Sequence, residues 1–206
     1  MKHVLLAAGV AAALAQHAFA TRGVIDDPDG STNVRAARSR ESAIVAVAKN
    51  GEVIDYESDS DTQWWEVTLS SGKKGYMHSS RIRRHATMAE LADTTPGDEV
   101  NEWSRTHGLP DYYPTARAAA RGDAAAMQRF FKRFGDGAAA ETHDEVFGIV
   151  MHLLGDQKFA KFLTTQSAGY RAEVREMLVE GNMLYPFEAE AYLKRHFPKT
   201  AALLFR

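Results

Sequence analysis

The sequence predicts an α+β protein of two domains, a small antiparallel β-barrel followed by an all-α domain. Between residues 21 and 85, apolar and polar residues alternate in short runs rich in β-branched and aromatic types, which is typical of half-buried strands. Pro110 and Pro114 are expected to break the chain, and after them proline becomes rare and apolar residues recur with helical spacing. The chain has 206 residues and is 45% hydrophobic, which is enough for a packed core in each part.

The first 20 residues have the features of a signal peptide. Lys2 supplies a positive start, residues 4–14 form an apolar run, and residues 18–20 have the small-residue pattern of a cleavage site. The run is shorter than the roughly 20 residues that a membrane-spanning helix needs. We therefore expect residues 1–20 to be removed, the mature protein to have no membrane span, and its location to be periplasmic or secreted.

The segment 21–85 divides into short strands separated by turn sequences. Pro28 and Gly30 favour a tight turn, and Asn50-Gly51 is a strong hairpin signal. Five or six short strands in about 60 residues predict a small barrel. The runs with strand character are residues 21–25, 33–36, 44–48, 52–57, 63–69 and 73–78.

Two adjacent tryptophans in the run 63–69 are expected to have different environments. Successive side chains of a strand point to opposite faces of the sheet. Trp65 shares its face with Val67 and Leu69, so we expect it in the core of the barrel. Trp64 is expected on the other face.

The second half of the chain is punctuated as a series of helices. Asp123 follows Gly122 as an N-cap signal for a helix whose apolar stripe runs from Met127 to Phe134. Thr142 and a glutamate three residues later form a candidate capping box for the next helix. Further helices are expected to begin at Asp156, before Tyr170, at Pro186 and at Pro198.

These signals give the expected domain organisation. Residues 86–111, which contain the breakers Pro96, Gly97 and Pro110, are expected to be a linker that can hold one short helix. Residues 112–206 are expected to form the helical domain. Two Gly-Asp pairs recur 33 residues apart, at residues 122 and 155, so a short helical repeat remains an alternative to a helical bundle.

Composition and motifs argue against catalysis. The chain has no cysteine, which excludes a cysteine nucleophile, disulfides and a lipid anchor attached through cysteine. Ser70 and Lys73 have the spacing of a serine acyl-transfer motif, but they lie in a turn instead of a helix start. His107 and Asp111 are separated by a glycine and a proline, which prevent a zinc-binding helix face. We therefore expect no enzyme activity, catalytic residue, cofactor or metal site.

A series of ordered sequence blocks carries a family pattern. The blocks are residues 23–30, residues 33–35, the apolar run ending in residues 50–52, residues 64–67 and residues 75–82. On these blocks, the segment 21–85 resembles the bacterial SH3 domain. The resemblance implies an SH3-like barrel of five to seven strands in an extracytoplasmic protein, where it usually serves as a targeting or binding module for cell-wall material or peptides.

The resemblance also implies a ligand groove. SH3 barrels line this groove with the first tryptophan of the Trp-Trp pair and the tyrosine of the Gly-Tyr block, here Trp64 and Tyr76. His78 and Arg81 hold the next two groove positions, where polyproline-binding relatives have proline and tyrosine. A histidine and an arginine favour an anionic or carboxylate-bearing ligand over a proline-rich one. Alternatively, Trp64 and Tyr76 pack against the linker or the helical domain.

The acidic loop before this groove and the overall charge of the chain indicate which class of partner the protein can bind. Asp26, Asp27 and Asp29 would balance a cation or an amine of the ligand. The chain has 25 basic and 27 acidic residues. Because basic residues are not in excess, we expect no nucleic-acid partner. The sequence predicts a non-catalytic binding protein that docks on peptidoglycan or an envelope protein. The alternative is an inhibitor or immunity-type protein that occludes a secreted enzyme.

Overall fold

The computed structural model describes residues 21–59, 61–92, 99–132, 137–180 and 189–205. The expected signal peptide, residues 1–20, lies outside the described residues, and so does the predicted helix start at Pro186. In the part that is described, a β-sheet half precedes a helical half. The predicted α+β fold class is therefore confirmed.

Seven strands of the described part of the chain form one curled antiparallel sheet. They are β1 (Thr21–Ile25), β2 (Ser31–Arg35), β3 (Ile44–Lys49), β4 (Val53–Glu57), β5 (Trp64–Leu69), β6 (Lys74–His78) and β7 (Ile82–Arg84). Their order across the sheet is β3-β2-β6-β5-β4-β1-β7. A single 3₁₀ turn, Ser79–Arg81, connects β6 to β7. Six of the strands match predicted runs, whereas β7 was not predicted.

The inner face of the sheet encloses its own hydrophobic core. Trp65 is only 1% exposed, and its ring stacks on Tyr56 with centroids 5.3 Å apart. Val67 and Leu69 follow on the same face and are also buried. Trp64 is partly exposed, so the predicted separation of the two tryptophans is confirmed.

The two edges of the sheet differ. At one edge, β3 has an irregular register with β2, passing from the pair Val34 and Ala46 to the pair Arg35 and Ile44. Val45 is the extra residue of this β-bulge. At the other edge, the backbone N–H of Arg84 in β7 donates to the hydroxyl oxygen of Tyr192 at 3.2 Å. The helical half therefore satisfies a donor at the β7 edge.

In the described ranges, seven α-helices follow a 3₁₀ turn at Met88–Leu91. They are α1 (Glu99–Thr106), α2 (Tyr112–Arg121), α3 (Ala124–Phe130), α4 (Ala138–Thr164), α5 (Ala168–Glu180), α6 (Ala189–His196) and α7 (Pro198–Leu204). Helix α4 is the central element, because α1, α2 and α7 all pack against it. Within the described ranges, every helix is too short or too polar to traverse a bilayer.

Some helix signals hold and others need correction. The predicted cap is confirmed, since the Asp123 carboxylate accepts from the N–H of Ala126 at 2.7 Å. The capping box at Thr142 is wrong, because α4 already begins at Ala138 and the Thr142 hydroxyl donates to the Ala138 carbonyl. Pro114 does not break the chain; it lies in the first turn of α2, where proline is tolerated because its missing N–H would have no intrahelical partner.

Gly155 divides α4 into two helical parts, as its position in the sequence predicts. Its φ of 70° and ψ of 164° are not helical, so the axis changes direction there. Asp156, directly after the break, accepts from the N–H groups of Lys199 and Thr200 at 2.9 and 2.8 Å. The carboxylate of Asp156, the predicted helix start, therefore caps the N-terminus of α7.

The segment expected to be a linker contributes to the helical core. Leu91, Val100 and Leu109 are each at most 5% exposed and belong to the same apolar cluster as the central helix. The core of the sheet forms a second cluster, composed only of residues from Ile25 to Ile82. Each half of the described chain thus has its own core.

A polar junction joins the two halves. The Tyr192 hydroxyl lies 2.7 Å from His152 Nε2, and His152 Nδ1 lies 2.7 Å from the Gly148 carbonyl. Because a carbonyl only accepts, Nδ1 of this ring carries the proton and Nε2 accepts from Tyr192. A second contact joins His196 Nδ1 to the Asp26 carboxylate at 2.7 Å. Helix α6 is therefore fixed to the strand ends at two points.

A candidate ligand-binding cavity on the β-sheet

A cavity of about 600 Å³ lies on the β-sheet half of the molecule. Its walls come from the turn after β1, from β2 and the loop that follows it, from facing ends of β5 and β6, and from the 3₁₀ turn. Trp64 and His78 line it together with small polar residues. The charged residues of its lining are Asp27, Asp29, Arg35, Arg40 and Arg81.

The pairing of β5 with β6 places the two ring side chains of the cavity. Trp64 and His78 are cross-strand partners, and their rings meet edge to face with centroids 5.7 Å apart. The Trp64 backbone N–H donates to the Thr62 hydroxyl at 3.1 Å, which fixes the start of the strand. The indole thus presents a rigid, partly exposed apolar surface to the cavity.

Both ring nitrogens of His78 are held by hydrogen bonds. The backbone N–H of Ser80 donates to His78 Nδ1 at 3.3 Å, so this nitrogen has no proton in the observed arrangement. His78 Nε2 lies 2.9 Å from the Gln63 side-chain oxygen and donates to it. Both ring nitrogens are therefore engaged with neighbouring protein groups. The histidine therefore orients the strand end and the 3₁₀ turn.

Arg81 is paired with a buried carboxylate. Its guanidinium lies 3.1 Å from Asp27 Oδ1, and the aspartate side chain is only 4% exposed. The same oxygen accepts from the backbone N–H of Asp29 at 3.0 Å. The charges of Arg81 and Asp27 therefore compensate each other within the cavity wall.

Arg35 and Arg40 supply the positive charge that remains. Arg35 donates to the Ser42 carbonyl at 2.8 Å, which holds its guanidinium without neutralising it. Among the described residues, neither arginine lies within ion-pair distance of a carboxylate. Both still act on the nearby Glu41 carboxylate, whose pKa is lowered mainly by the Ser39 hydroxyl and also by Arg40 and Arg35. A cavity that holds two guanidinium groups without a direct ion pair beside an indole is suited to an anionic ligand with a flat or apolar part.

Residues 30–83 match the family model of the bacterial SH3 domain. This segment is a bacterial SH3 domain. The match covers the strands β2 to β6 and most of β7, and with them the cavity except the first part of the turn after β1. The helical half is not matched to a family. No curated protein and no solved structure matches the chain significantly.

The SH3 domain brings together three of the four predicted groove residues. Trp64, His78 and Arg81 all line the cavity. Tyr76 is not among the lining residues. It lies on the same face of β6, two residues before His78, but the Arg38 guanidinium lies over its ring, 5.5 Å from the centroid. The Tyr76 ring is thus engaged in a cation–π contact with Arg38.

The three aspartates before β2 have separate roles in the SH3 domain. Asp27 pairs with Arg81, as described above. Asp26 points toward the helical half, where it contacts His196 and lies 3.4 Å from Arg83. Only Asp29 is an exposed carboxylate in the cavity lining. The expectation that all three would balance a cation or an amine is therefore limited to Asp29.

Trp64 was expected either to line a ligand groove or to pack against the linker or the helical domain. All residues that line the cavity come from the segment 27–81, so the indole faces a space within the SH3 domain. The sequence did not identify Arg35 and Arg40 as site residues. The available signal was the alternation in β2, in which Val34 is buried and Arg35 is therefore directed to the opposite face.

Proposed function

We propose that this protein is a non-catalytic, extracytoplasmic binding protein whose SH3 domain docks on cell-wall peptide material or on an envelope protein. The proposal rests on one observation, the position beside Trp64 of the guanidinium groups of Arg35 and Arg40, neither of which forms a direct ion pair among the described residues. Bacterial SH3 domains commonly bind peptidoglycan, which supports a ligand of the cell envelope. The sequence pattern at residues 1–20 supports a location outside the cytoplasm.

The charge pattern of the cavity favours a peptide with a free carboxylate. A guanidinium binds a carboxylate through two parallel hydrogen bonds, which gives both strength and orientation. The indole of Trp64 provides area for an apolar or planar part of the peptide at low entropic cost. The exposed carboxylate of Asp29 is available to an amine of the same ligand. Cell-wall peptides and acidic protein segments both offer such groups.

Reversing the charges of Arg35 and Arg40 is expected to abolish most of the binding. Because each charge-assisted hydrogen bond contributes about 1.5–3 kcal/mol, the variant R35E/R40E should be retained on purified cell-wall sacculi at least about tenfold less than the wild type. Added salt should weaken retention of the wild type, since the two guanidinium groups are partly exposed. The measurement is a co-sedimentation isotherm with sacculi.

A matched variant controls for net charge. K73E/K161E makes the same change in charge at two exposed positions outside the cavity lining, and it should bind like the wild type. Equal loss of binding in both variants would mean that net charge, and not the cavity, governs retention. If sacculi retain none of the proteins while envelope lysate yields one stoichiometric partner that R35E/R40E does not bind, the ligand is an envelope protein. If that partner is a secreted enzyme whose activity is blocked, the inhibitor alternative is supported.

A further inference from the structure

We propose that the outward face of β3 extends the cavity into an apolar subsite, and that the partner is a polypeptide with aliphatic side chains next to an acidic group. The inference rests on the proposed function and specifies the partner class of the same site. Two side chains, Ile44 and Val47, form the apolar subsite. They lie beside cavity residues on the neighbouring strand β2.

The strand register places the apolar subsite next to the cavity. Asn33 of β2 pairs with Val47 of β3, and Arg35 pairs with Ile44. Both β2 residues line the cavity. Directly paired residues on one face of an antiparallel sheet have Cβ atoms about 4.5–5.5 Å apart. A ligand that contacts Arg35 is thus within one side-chain length of both apolar residues.

The exposure of the two side chains is unusual for this molecule. Ile44 is 52% exposed and Val47 is 56% exposed. Only two other large hydrophobic residues in the described part of the chain reach the exposed class, Met88 at 37% and Val179 at 40%, and these lie on the helical half. Half of the exposed large hydrophobic residues are therefore found on one edge strand, beside the candidate cavity.

The chemistry of the surface favours a polypeptide over bare glycan. Sugar rings are typically bound by aromatic faces and many hydroxyl partners, whereas isoleucine and valine offer only aliphatic surface. Aliphatic side chains gain by leaving water together, so they select a partner with side chains of the same kind. Arg35 requires an acidic group next to them. Because Asn33 and Arg35 are two residues apart on β2, the two apolar positions are spaced like alternate residues of an extended peptide.

A second copy of the chain fits this surface less well. Edge-to-edge pairing of two β3 strands requires a regular row of free backbone groups, and the bulge at Val45 interrupts that row. A second copy would also bring its own Arg35 and Arg40 toward the same groups of its partner if the two faces were stacked. Like charges oppose such an arrangement.

Two labelled peptides test the inference on the full mature chain. One is an extended peptide with a glutamate followed by valines at two alternate positions, and the other has serines in place of the valines. The wild type should bind the valine peptide about tenfold more tightly, as expected for burial of aliphatic groups. The variant I44S/V47S should bind both peptides equally. The matched variant M88S/V179S, which removes the other two exposed hydrophobic residues, should behave like the wild type. Fluorescence anisotropy measures all affinities.

The outcomes separate this inference from the proposed function. Equal affinity of the wild type for both peptides, or no effect of I44S/V47S, overturns the apolar subsite. If R35E/R40E then still loses retention on sacculi, the proposed function stands without it. If neither peptide binds but sacculi do, the inference also fails and the function stands. A concentration-dependent dimer that I44S/V47S abolishes, measured by sedimentation, would assign the surface to a second copy and overturn the inference. If the wild type binds neither sacculi nor either peptide and captures no partner from envelope lysate, both proposals are overturned.

Discussion

Lowering the pH from 7.5 to 5 is expected to remove most of the stability of the helical half. Burial lowers the pKa of His143 and of His152 from 6.5 to about 3, and it lowers the pKa of His196 to about 4 although Asp26 opposes this shift. All three rings form hydrogen bonds that a neutral imidazole satisfies. His143, for example, donates from Nε2 to the Lys132 carbonyl and accepts from the Tyr112 hydroxyl at Nδ1.

The direction of the effect follows from proton binding. The unfolded chain takes up protons below pH 6.5, whereas the folded chain resists them until pH 3 to 4. The stabilisation by neutral histidines is therefore complete above pH 6.5 and is lost as the pH falls toward 4. At pH 5, protonation of each histidine in the unfolded chain lowers the free energy of unfolding by about 2 kcal/mol. The combined loss from the three histidines approaches the whole free energy of unfolding of an ordinary domain.

Urea titrations followed by circular dichroism at 222 nm, at several pH values from 7.5 to 5, measure this loss. H143Q removes one of the three groups while retaining an amide that can hydrogen-bond. Its own stability is expected to be lower at pH 7.5, but its loss between pH 7.5 and 5 should be smaller by about a third. A free energy of unfolding that stays constant over this range would contradict the neutral, buried state of the three rings.

Replacing Trp65 with alanine is expected to destabilise the SH3 domain by about 3–5 kcal/mol, the usual cost of removing a buried aromatic side chain. The ring is 1% exposed and stacked on Tyr56, so its loss leaves a cavity in a core of only about ten residues. A small core has few neighbours that can move to fill the space. The unfolding midpoint in urea, followed by near-ultraviolet circular dichroism, measures the change.

The adjacent tryptophan provides the control. Trp64 lines the cavity on the opposite face, so Trp64→Ala should change the free energy of unfolding by less than about 1 kcal/mol. The same variant should weaken retention on sacculi if the proposed function is correct. Equal destabilisation by the two substitutions would show that both rings contribute equally to the core, against the observed difference in their burial.

The sequence located most of the fold because its signals are local. Six strands were found from the alternation of apolar and polar residues, and the two tryptophans were separated by the same rule. β7 was missed because three residues are too few to show a period of two. Pro114 was predicted to break the chain, but proline is also common in the first turn of a helix. Thr142 was predicted to cap a helix, but threonine also occurs inside helices. Only the three-dimensional position of the helix start distinguishes them.

The candidate site was less accessible to sequence reasoning. Trp64, His78 and Arg81 were found through their family positions, but the same reasoning included Tyr76. A covering contact from Arg38, which belongs to a distant polar loop, cannot be read from local periodicity. Arg35 and Arg40 were missed because arginines in a polar segment resemble an ordinary solvated surface. Their role depends on which carboxylates reach them in the folded chain.

The difference between the two sheet edges limits how copies of this chain can assemble. A sheet with two open edges can add a strand on each side, and repeated addition produces an unlimited fibre. Here Tyr192 occupies the N–H of Arg84 at the β7 edge, and the bulge at Val45 interrupts the row of backbone groups at the β3 edge. Neither edge therefore offers a regular, fully free row of donors and acceptors. Polymerisation through the sheet is disfavoured at both ends, and at the β7 edge this holds for as long as α6 remains docked.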